Sequence, residues 1–329
     1  MTLPATMQAV EISASGGPDV LKPVERPVPA IKAHEILIKV AAAGINGPDI
    51  MQRKGLYPAP AGASDLPGLE VSGTVAAVGS GVTRWNAGDR VVGLTNGGGY
   101  AEYVAVDASH CLPAPQGVDL HDAAGLPETF FTVWSNVFIG AGLKSGETFL
   151  VHGGAGGIGT TCIQLGKAFG ATVIATDSPD ARCRLCRDLG ADRVIDYKSE
   201  DFVEIVRDAG GANVILDIVG GPNIEKNFKA ATHDARIIQL AFAAGSKVEI
   251  NLMPVMLKRL SYTGSTLRTR PDAFKARVAA ELEAQVWPLI AAGKIRVVTH
   301  SFLPLAEAAK AHALMESSQH TGKILLRVA

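Results

Sequence analysis

A glycine-rich turn between a short apolar run and a helical pattern is the feature that most constrains the fold of this chain. The residues from Phe149 onward read FLVHGGAGGIGTTCIQLGKAFGATVIATD. FLVH is apolar like a buried strand, IGTTCIQLGKAFG has helical spacing, and TVIATD is again a strand pattern. Gly154, Gly156 and Gly159 fit G-x-G-x-x-G, which in this strand–turn–helix context is typical of a dinucleotide-binding βαβ unit.

Each position of this turn has a physical role in holding a pyrophosphate. We expect Gly154 to permit a tight turn, Gly156 to let the backbone approach the phosphates, and Gly159 to let the helix pack on the strand. Gly157 and Ile158 open the helix, whose unpaired N–H groups and positive dipole end attract anions. The alternative is a glycine-rich turn that holds no ligand.

An acidic residue ends the second strand of this unit and predicts the form of the cofactor. Asp177 follows Gly159 by 18 residues, where a carboxylate accepts hydrogen bonds from the adenosine ribose and repels a 2′-phosphate. The sequence therefore favours NADH. NADPH stays possible, because Arg182 could pair with a phosphate and Tyr197 could stack near the adenine; the alternatives are a solvated Arg182 and a partly buried Tyr197.

The rest of the chain divides into two kinds of pattern. Residues 7–125 contain short β-branched runs separated by glycine and proline turns, which predicts a β-rich domain. From about Leu126, apolar strands alternate with amphipathic helices, which indicates a parallel sheet covered on both faces. The predicted fold class is α/β. The exposed edge segment LSYTGSTL could pair two sheets in a dimer.

Charge and composition exclude several classes of partner. The 329 residues carry a net charge of −1, so no electrostatic footprint for nucleic acid or an anionic membrane is present. No apolar run is long enough for a transmembrane helix and no secretory signal is evident, so we expect a cytoplasmic protein. Cys183 and Cys186 match C-x-x-C, but without a second pair they are interpreted as helix-face cysteines.

Several segments together resemble the medium-chain dehydrogenase/reductase superfamily, and most closely its zinc-independent quinone oxidoreductase branch. They are GLEVSGTVAAVG, GDRVVGL, GGGYAEYV, VHGGAGGIG, LGADRVIDYKSEDF and TGKILL, with NGPDIMQRKGLYPAPAGASDLPGLE especially similar to that branch. The resemblance implies a GroES-like β-rich catalytic domain (residues 1–125 and 271–329) and a Rossmann doubly wound domain (residues 126–270). It also implies a nicotinamide cofactor and a homodimer.

The zinc ligands of the superfamily's alcohol dehydrogenases are missing at the matching positions. This sequence has Asn46, Leu69 and Glu128 there, whereas zinc prefers several cysteine, histidine or carboxylate ligands. We therefore expect no zinc. Without a Lewis acid to activate an alcohol, the expected substrate is a small, already electrophilic acceptor, either a quinone or a conjugated enone.

The resemblance also implies two catalytic residues. Asn46 could donate an amide hydrogen to cofactor or acceptor, and Tyr57 could bind the forming oxyanion and supply a proton. The alternatives are a loop-capping role for Asn46 before Pro48 and a half-exposed turn position for Tyr57.

Four further residues are predicted to contact the cofactor. By resemblance, Thr132 lies beside the nicotinamide and Arg268 belongs to a segment that closes over it. Phe242 is expected near the nicotinamide ring, and the alternative for it is a core position. Lys323 could reach the phosphates of the cofactor. His152, at the end of the strand before the glycine turn, is interpreted as a packing residue.

Two other functions remain open at this point. One is an enal or enoyl-thioester reductase on the same fold, although no basic patch for a phosphopantetheine or CoA group stands out. The other is a non-catalytic cofactor-binding protein.

Overall fold

The structure, a computed structural model, describes residues 3–328, and these form two compact units. One unit contains the chain up to Phe131 and from Arg268 onward, and the other is Thr132–Leu267. The resemblance described above implies junctions after residues 125 and 270.

Within residues 3–328 the chain forms fifteen strands and eleven α-helices. The strands are β1 (Thr6–Ile12), β2 (Leu21–Pro27), β3 (Glu35–Gly44), β4 (Glu70–Val78), β5 (Arg90–Leu94), β6 (Tyr103–Asp107), β7 (Cys111–Pro113), β8 (Thr148–His152), β9 (Thr172–Asp177), β10 (Arg193–Asp196), β11 (Ala212–Asp217), β12 (Ala231–Gln239), β13 (Ser261–Gly264), β14 (Thr299–Pro304) and β15 (Lys323–Arg327). The helices are α1 (Gly47–Arg53), α2 (Leu120–Ala123), α3 (Pro127–Val133), α4 (Gly157–Ala168), α5 (Asp180–Asp188), α6 (Phe202–Asp208), α7 (Asn223–Ala230), α8 (Met253–Leu257), α9 (Asp272–Gln285), α10 (Trp287–Ala291) and α11 (Ala308–Glu316).

The first unit is built on a seven-stranded sheet with the order β14-β15-β3-β4-β5-β7, and β6 also pairs with β3. Both neighbours of β3 on this path run antiparallel to it, and the pairings Ala43 with Val71 and Gly44 with Leu325 set the register. The end of β3 therefore lies beside the starts of β4 and β15. This register places residues from three distant parts of the sequence at one end of the sheet.

The second unit is a six-stranded parallel sheet with the order β10-β9-β8-β11-β12-β13. Apolar, β-branched segments such as NVIL in β11 form its core, with Leu150, Ile174 and Ile215 almost fully buried. The chain order reverses between β8 and β11, as in a doubly wound Rossmann sheet, and ligands bind such sheets beyond the carboxyl ends of the strands at that point. The predicted α/β fold class is confirmed.

Candidate active site

The glycine-rich turn follows β8 and opens α4. The left-handed residue is Gly153, with φ of +74°, and a Cβ at Gly154 would instead lie 2.7 Å from the Cys186 sulfur. The tight turn that the sequence assigned to Gly154 therefore belongs to the preceding glycine, and Gly154 is needed for close packing. A Cβ at Gly159 would lie 2.1 Å from the Gly153 carbonyl oxygen, as expected where a helix packs directly on its turn.

The start of α4 has the properties of a pyrophosphate cradle. Gly156 is the N-cap, and no side chain makes a capping hydrogen bond to the first turn. The nearest atom to a Cβ built on Gly156 is the Gly153 oxygen at 3.5 Å, so a methyl group there would project into open space. Unpaired helix N–H groups facing open space fit a phosphate, and Gly157, Ile158 and Gly159 supply them.

Asp177 is engaged with protein groups at both carboxylate oxygens. Oδ2 accepts from the Ala155 N–H at 2.7 Å, and Oδ1 accepts from the Ser178 N–H at 2.8 Å. The Arg182 guanidinium binds both oxygens, with its Nε 2.6 Å from Oδ1 and its Nη2 3.3 Å from Oδ2. Asp177 is 3% exposed. It is therefore tied to the glycine turn, and Arg182 is its ion-pair partner and not a free phosphate ligand.

Three other residues of the second unit, Tyr197, Phe242 and Thr132, were predicted to contact the cofactor, and fewer side-chain contacts define their surroundings. Tyr197 follows β10, and its N–H faces the Asp177 carbonyl oxygen at 3.4 Å, while its side chain is 55% exposed. Phe242 is 46% exposed beside Gly220, so the core position expected for it is wrong. Thr132 lies in α3, and its carbonyl oxygen accepts from Ser135 and Asn136.

His152 is buried at the end of β8, and both ring nitrogens are used inside the second unit. Nδ1 lies 2.9 Å from the Thr176 hydroxyl and Nε2 lies 2.7 Å from the Asn227 amide oxygen. Because that oxygen only accepts, Nε2 carries the hydrogen. Burial lowers the pKa of His152, which keeps the ring neutral. These contacts support the packing interpretation.

A buried polar cluster lies at the shared end of β3, β4 and β15 in the first unit. Its members are Asn46, Asp49, Glu70, Glu128 and Lys323. The Lys323 ammonium donates to Asn46 Oδ1 and to Glu70 Oε1, both at 2.6 Å, and the Asn46 amide donates to the same Glu70 oxygen at 2.8 Å. Asn46 is the N-cap of α1, in agreement with the loop-capping alternative. Its side chain, however, points to Glu70 and Lys323.

These contacts limit what Asn46 and Lys323 can do for a ligand. The oxygen of Asn46 and one of its amide hydrogens are used within the polar cluster, which leaves one hydrogen for a cofactor or acceptor. Lys323 is 5% exposed and also donates to the Ile45 carbonyl. The ammonium group of Lys323 therefore has three acceptors within the protein, and the phosphate contact predicted from the sequence is not needed to satisfy it.

Asp49 holds the backbone around Asn46. Its two oxygens accept from the N–H groups of Asn46 and Gly68, each at 2.9 Å, and its side chain is hydrogen-bonded to Tyr100. Burial raises the pKa of Asp49 to about 7, against the lowering effect of these backbone donors. Asp49 is therefore a positioning residue for the start of α1.

Glu128 was considered in the sequence only as a poor zinc position, yet it belongs to the polar cluster. Its N–H donates to the second oxygen of Glu70 at 2.8 Å. Burial, and next the charge of Glu70, raise the pKa of Glu128 to about 8. Leu69, another position that the sequence matches to a zinc ligand of the alcohol dehydrogenases, is a core residue that is 2% exposed.

Tyr57 and Arg268 lie together in the same unit. The Arg268 guanidinium is 5.6 Å from the centre of the Tyr57 ring, and it donates to the Asn96 carbonyl and to Gln52 Oε1. Burial lowers the pKa of Arg268, and the charges of Asp49, Tyr57 and Glu128 oppose that shift. Arg268 thus lies within electrostatic range of two members of the polar cluster, Asp49 and Glu128.

Residues 3–328 contain neither a membrane-spanning helix nor a cluster of metal-binding side chains. No helix in this range is long and apolar enough to cross a membrane. Nor does the range contain three or more histidine, cysteine or acidic side chains grouped so that they could hold a metal ion.

Comparisons with known proteins agree with this architecture along the whole chain. A family model for the alcohol dehydrogenase GroES-like domain matches residues 32–116, and one for zinc-binding dehydrogenases matches residues 157–284. The quinone oxidoreductase of Rattus norvegicus is 32% identical over 326 residues, which cover 97% of each chain.

Solved structures extend the comparison. Escherichia coli quinone oxidoreductase complexed with NADPH is 30% identical with a TM-score of 0.88, over 98% of this chain and all of that one. The CurK enoyl reductase is 26% identical with a TM-score of 0.87, over 99% of this chain and all of that one. The chain belongs to the quinone oxidoreductase branch of the medium-chain dehydrogenase/reductase superfamily.

Proposed function

We propose that this chain is an NAD(P)H-dependent quinone oxidoreductase that reduces a quinone or a conjugated enone without zinc. The observation that carries the proposal is the chemistry of the polar cluster, which offers an amide, three carboxyl groups and an ammonium. Alcohol activation needs a zinc site of thiolate, imidazole and carboxylate ligands. A quinone is already electrophilic and needs only positioned hydrogen-bond donors.

The position of Lys323 supports zinc independence. Its ammonium lies 2.6 Å from both Asn46 Oδ1 and Glu70 Oε1, the oxygens that a cation at this place would use. A divalent ion beside these oxygens would face a like charge at close range. The Lys323 ammonium thus neutralises the negative charge of Glu70, as a bound metal ion would.

The residues present fit a reduced nicotinamide dinucleotide. When bound, it supplies the hydride. The cradle at Gly156 would hold its pyrophosphate. Arg268 and Tyr57, together with the free amide hydrogen of Asn46, are proposed to bind the acceptor oxygen and stabilise negative charge as it develops there.

We further propose that NADH is preferred. A 2′-phosphate near Asp177 would meet a buried carboxylate, and Arg182 would have to leave that carboxylate to pair with the phosphate. The E. coli relative was solved with NADPH, so the two cofactors must be compared directly in this protein. The expected result is a higher kcat/KM with NADH, reversed or abolished in Asp177→Ser because Arg182 is then released to bind phosphate. A wild type that prefers NADPH would refute this assignment.

The test of the overall function is the loss of reduced-cofactor absorbance on adding 1,4-benzoquinone or an ortho-quinone, with each cofactor in turn. Clear cofactor binding without turnover of either quinone would overturn the proposal and favour a non-catalytic cofactor-binding protein. A conjugated enal and an enoyl thioester belong in the same panel because of the similarity to CurK enoyl reductase. Thioester reduction far faster than quinone reduction would move the assignment to that class.

We also propose a homodimer that works in the cytoplasm. Strand β13 is an exposed sheet edge, and four large apolar side chains nearby, those of Leu252, Met253, Met256 and Leu257, are each more than half exposed. Edges and apolar patches of this kind are covered in stable assemblies. Light scattering should give twice the chain mass, and Leu257→Glu should give the monomer. The four cysteines are all unpaired and buried, as in proteins of reducing compartments; cell fractionation tests the location.

A further inference from the structure

The three carboxyl groups of the polar cluster, those of Asp49, Glu70 and Glu128, are not equally paired with cations. Only Glu70 is in direct contact with the Lys323 ammonium, while Arg268 and Lys275 lie within electrostatic range of Glu128 and form no ion pair with it among residues 3–328. A buried group of this size is most stable near neutrality, since an unpaired buried charge is costly. One of the three carboxyl groups is therefore expected to be neutral at physiological pH.

Hydrogen bonding decides which acid is neutral. Glu70 accepts from Lys323, Asn46 and the Glu128 N–H, and Asp49 accepts two backbone N–H bonds. Such donors favour the charged form of an acid. The carboxyl group of Glu128 has no hydrogen-bond or ion-pair partner among residues 3–328. The proton is therefore expected on Glu128.

Glu128 is also linked to the residues that are proposed to bind the acceptor. Glu70 joins it directly to Asn46, because one Glu70 oxygen accepts from the Glu128 N–H and the other from the Asn46 amide. Arg268, proposed to bind the acceptor oxygen, is within electrostatic range of both Tyr57 and Glu128. Of the three acids, Glu128 is the one that is not fully buried, because Asp49 and Glu70 are both 0% exposed.

We propose that Glu128 is the general acid of the reaction, the residue that gives a proton to the acceptor oxygen as the hydride arrives. This rests on the proposed function. The hydride brings two electrons and one hydrogen to the quinone, and the O–H bond of Glu128 breaks as its proton forms an O–H bond on the acceptor. Glu128 is left as a carboxylate and regains a proton from solvent. The sum is quinone + NAD(P)H + H⁺ → hydroquinone + NAD(P)⁺. Tyr57 then acts as a hydrogen-bond donor and not as the proton source.

The first test is Glu128→Gln, which keeps the shape of the side chain but cannot release a proton. Positioned general acids contribute roughly 10²–10⁴-fold, so we expect kcat for quinone reduction to fall by about 100-fold or more, with cofactor Kd unchanged. In the wild type, kcat should fall as pH rises through about 8, and this limb should be absent in Glu128→Gln and restored, at lower activity, in Glu128→Asp. The matched control is Glu283→Gln, an exposed partner of Arg84, which should behave as wild type.

The second test needs no cofactor or turnover. In cofactor-free protein with ¹³C-labelled glutamate, infrared spectra should show a protonated carboxyl band at neutral pH that disappears as pH rises through about 8. The label separates Glu128 from Asp49. A Glu128→Gln enzyme with wild-type kcat and the same alkaline limb, or the lack of a labelled carboxyl band, would overturn the proposal. If the wild type reduces no quinone at all, the proposed function fails, and the infrared titration still decides whether Glu128 holds the proton.

Discussion

Two alanine substitutions in the same turn should separate cofactor binding from folding. At Gly156 the added Cβ has no neighbour closer than 3.5 Å, and the backbone, with φ of −77° and ψ of 174°, suits any residue. The free energy of unfolding of Gly156→Ala should therefore stay within about 1 kcal/mol of wild type. At Gly159 the Cβ would lie 2.1 Å from the Gly153 oxygen and 2.6 Å from the Gly154 Cα, both backbone atoms.

These distances predict opposite consequences for the two variants. In Gly156→Ala the methyl group holds the pyrophosphate away from the helix N–H groups, and losing one or two charge-assisted hydrogen bonds costs about 3 kcal/mol, or roughly a 100-fold higher Kd. In Gly159→Ala the helix must move back by about 1 Å, and overpacking of this kind costs about 2 kcal/mol of stability.

The assays are urea unfolding and calorimetric titration with NADH and NADPH, run on both variants and on wild type. Wild-type Kd values in a folded Gly156→Ala would refute the assignment of this turn as the pyrophosphate site. A Gly159→Ala protein as stable as wild type would refute the direct packing of α4 on the turn.

Four further outcomes are expected. Burial lowers the pKa of His312 from near 6.5 to about 3, so the neutral ring contributes fully to stability above pH 6.5, and this contribution is lost as pH falls toward 3. The free energy of unfolding of the wild type, measured in urea, should therefore fall between about pH 7.5 and 5, and in His312→Gln this fall should be about 2 kcal/mol smaller. Lys323→Met leaves Glu70 buried without a cation and should cost about 3–5 kcal/mol in the same assay, with Lys323→Arg less affected. Dialysis against a chelator should leave quinone reduction unchanged and metal analysis should find no stoichiometric zinc; loss of activity restored by zinc would contradict the zinc-free mechanism. Glu128→Gln should be more stable than wild type at neutral pH, by about 1–2 kcal/mol. The pKa of Glu128 is higher in the folded protein than in the unfolded chain, so the wild type loses stability as pH rises above the ordinary range of a carboxyl group, and glutamine does not.

The parts of the fold that sequence could predict are those fixed by local patterns. Apolar runs in β8, β9 and β11 and helical spacing in α4 depend on neighbours a few residues away, and the parallel sheet follows from their alternation. The glycine motif does lie between a strand and a helix, as the sequence predicts, but the pattern cannot show which glycine adopts the left-handed conformation. An additional glycine precedes the motif, and Gly153 takes that role, whereas Gly154 is restricted by Cys186 from α5.

The parts that sequence missed depend on strand register. Asn46, Glu70 and Lys323 are far apart in the chain, and they meet because β4 and β15 both start beside the end of β3. No local signal gives that register, so Lys323 was interpreted as a phosphate ligand. Glu128 was seen only as one member of an incomplete zinc set, because its environment is created by Glu70 from another strand.

In the proposed mechanism, the polar cluster supplies a proton and hydrogen bonds and needs no metal ion. Lys323 gives Glu70 a fixed positive partner, so that carboxylate can hold both Asn46 and the backbone of Glu128. Burial makes the largest contribution to the raised pKa of Glu128, and the negative charge of Glu70 raises it further. A proton kept on a half-buried acid lowers stability at neutral pH, and such a cost is typical of functional sites. It follows that removing Glu70 should lower the pKa of Glu128 and take away the acid, even though Glu70 never meets the acceptor. Lys323, Glu70 and Glu128 therefore depend on one another: the ammonium is the ion-pair partner of Glu70, and the charge of Glu70 contributes to the raised pKa of Glu128.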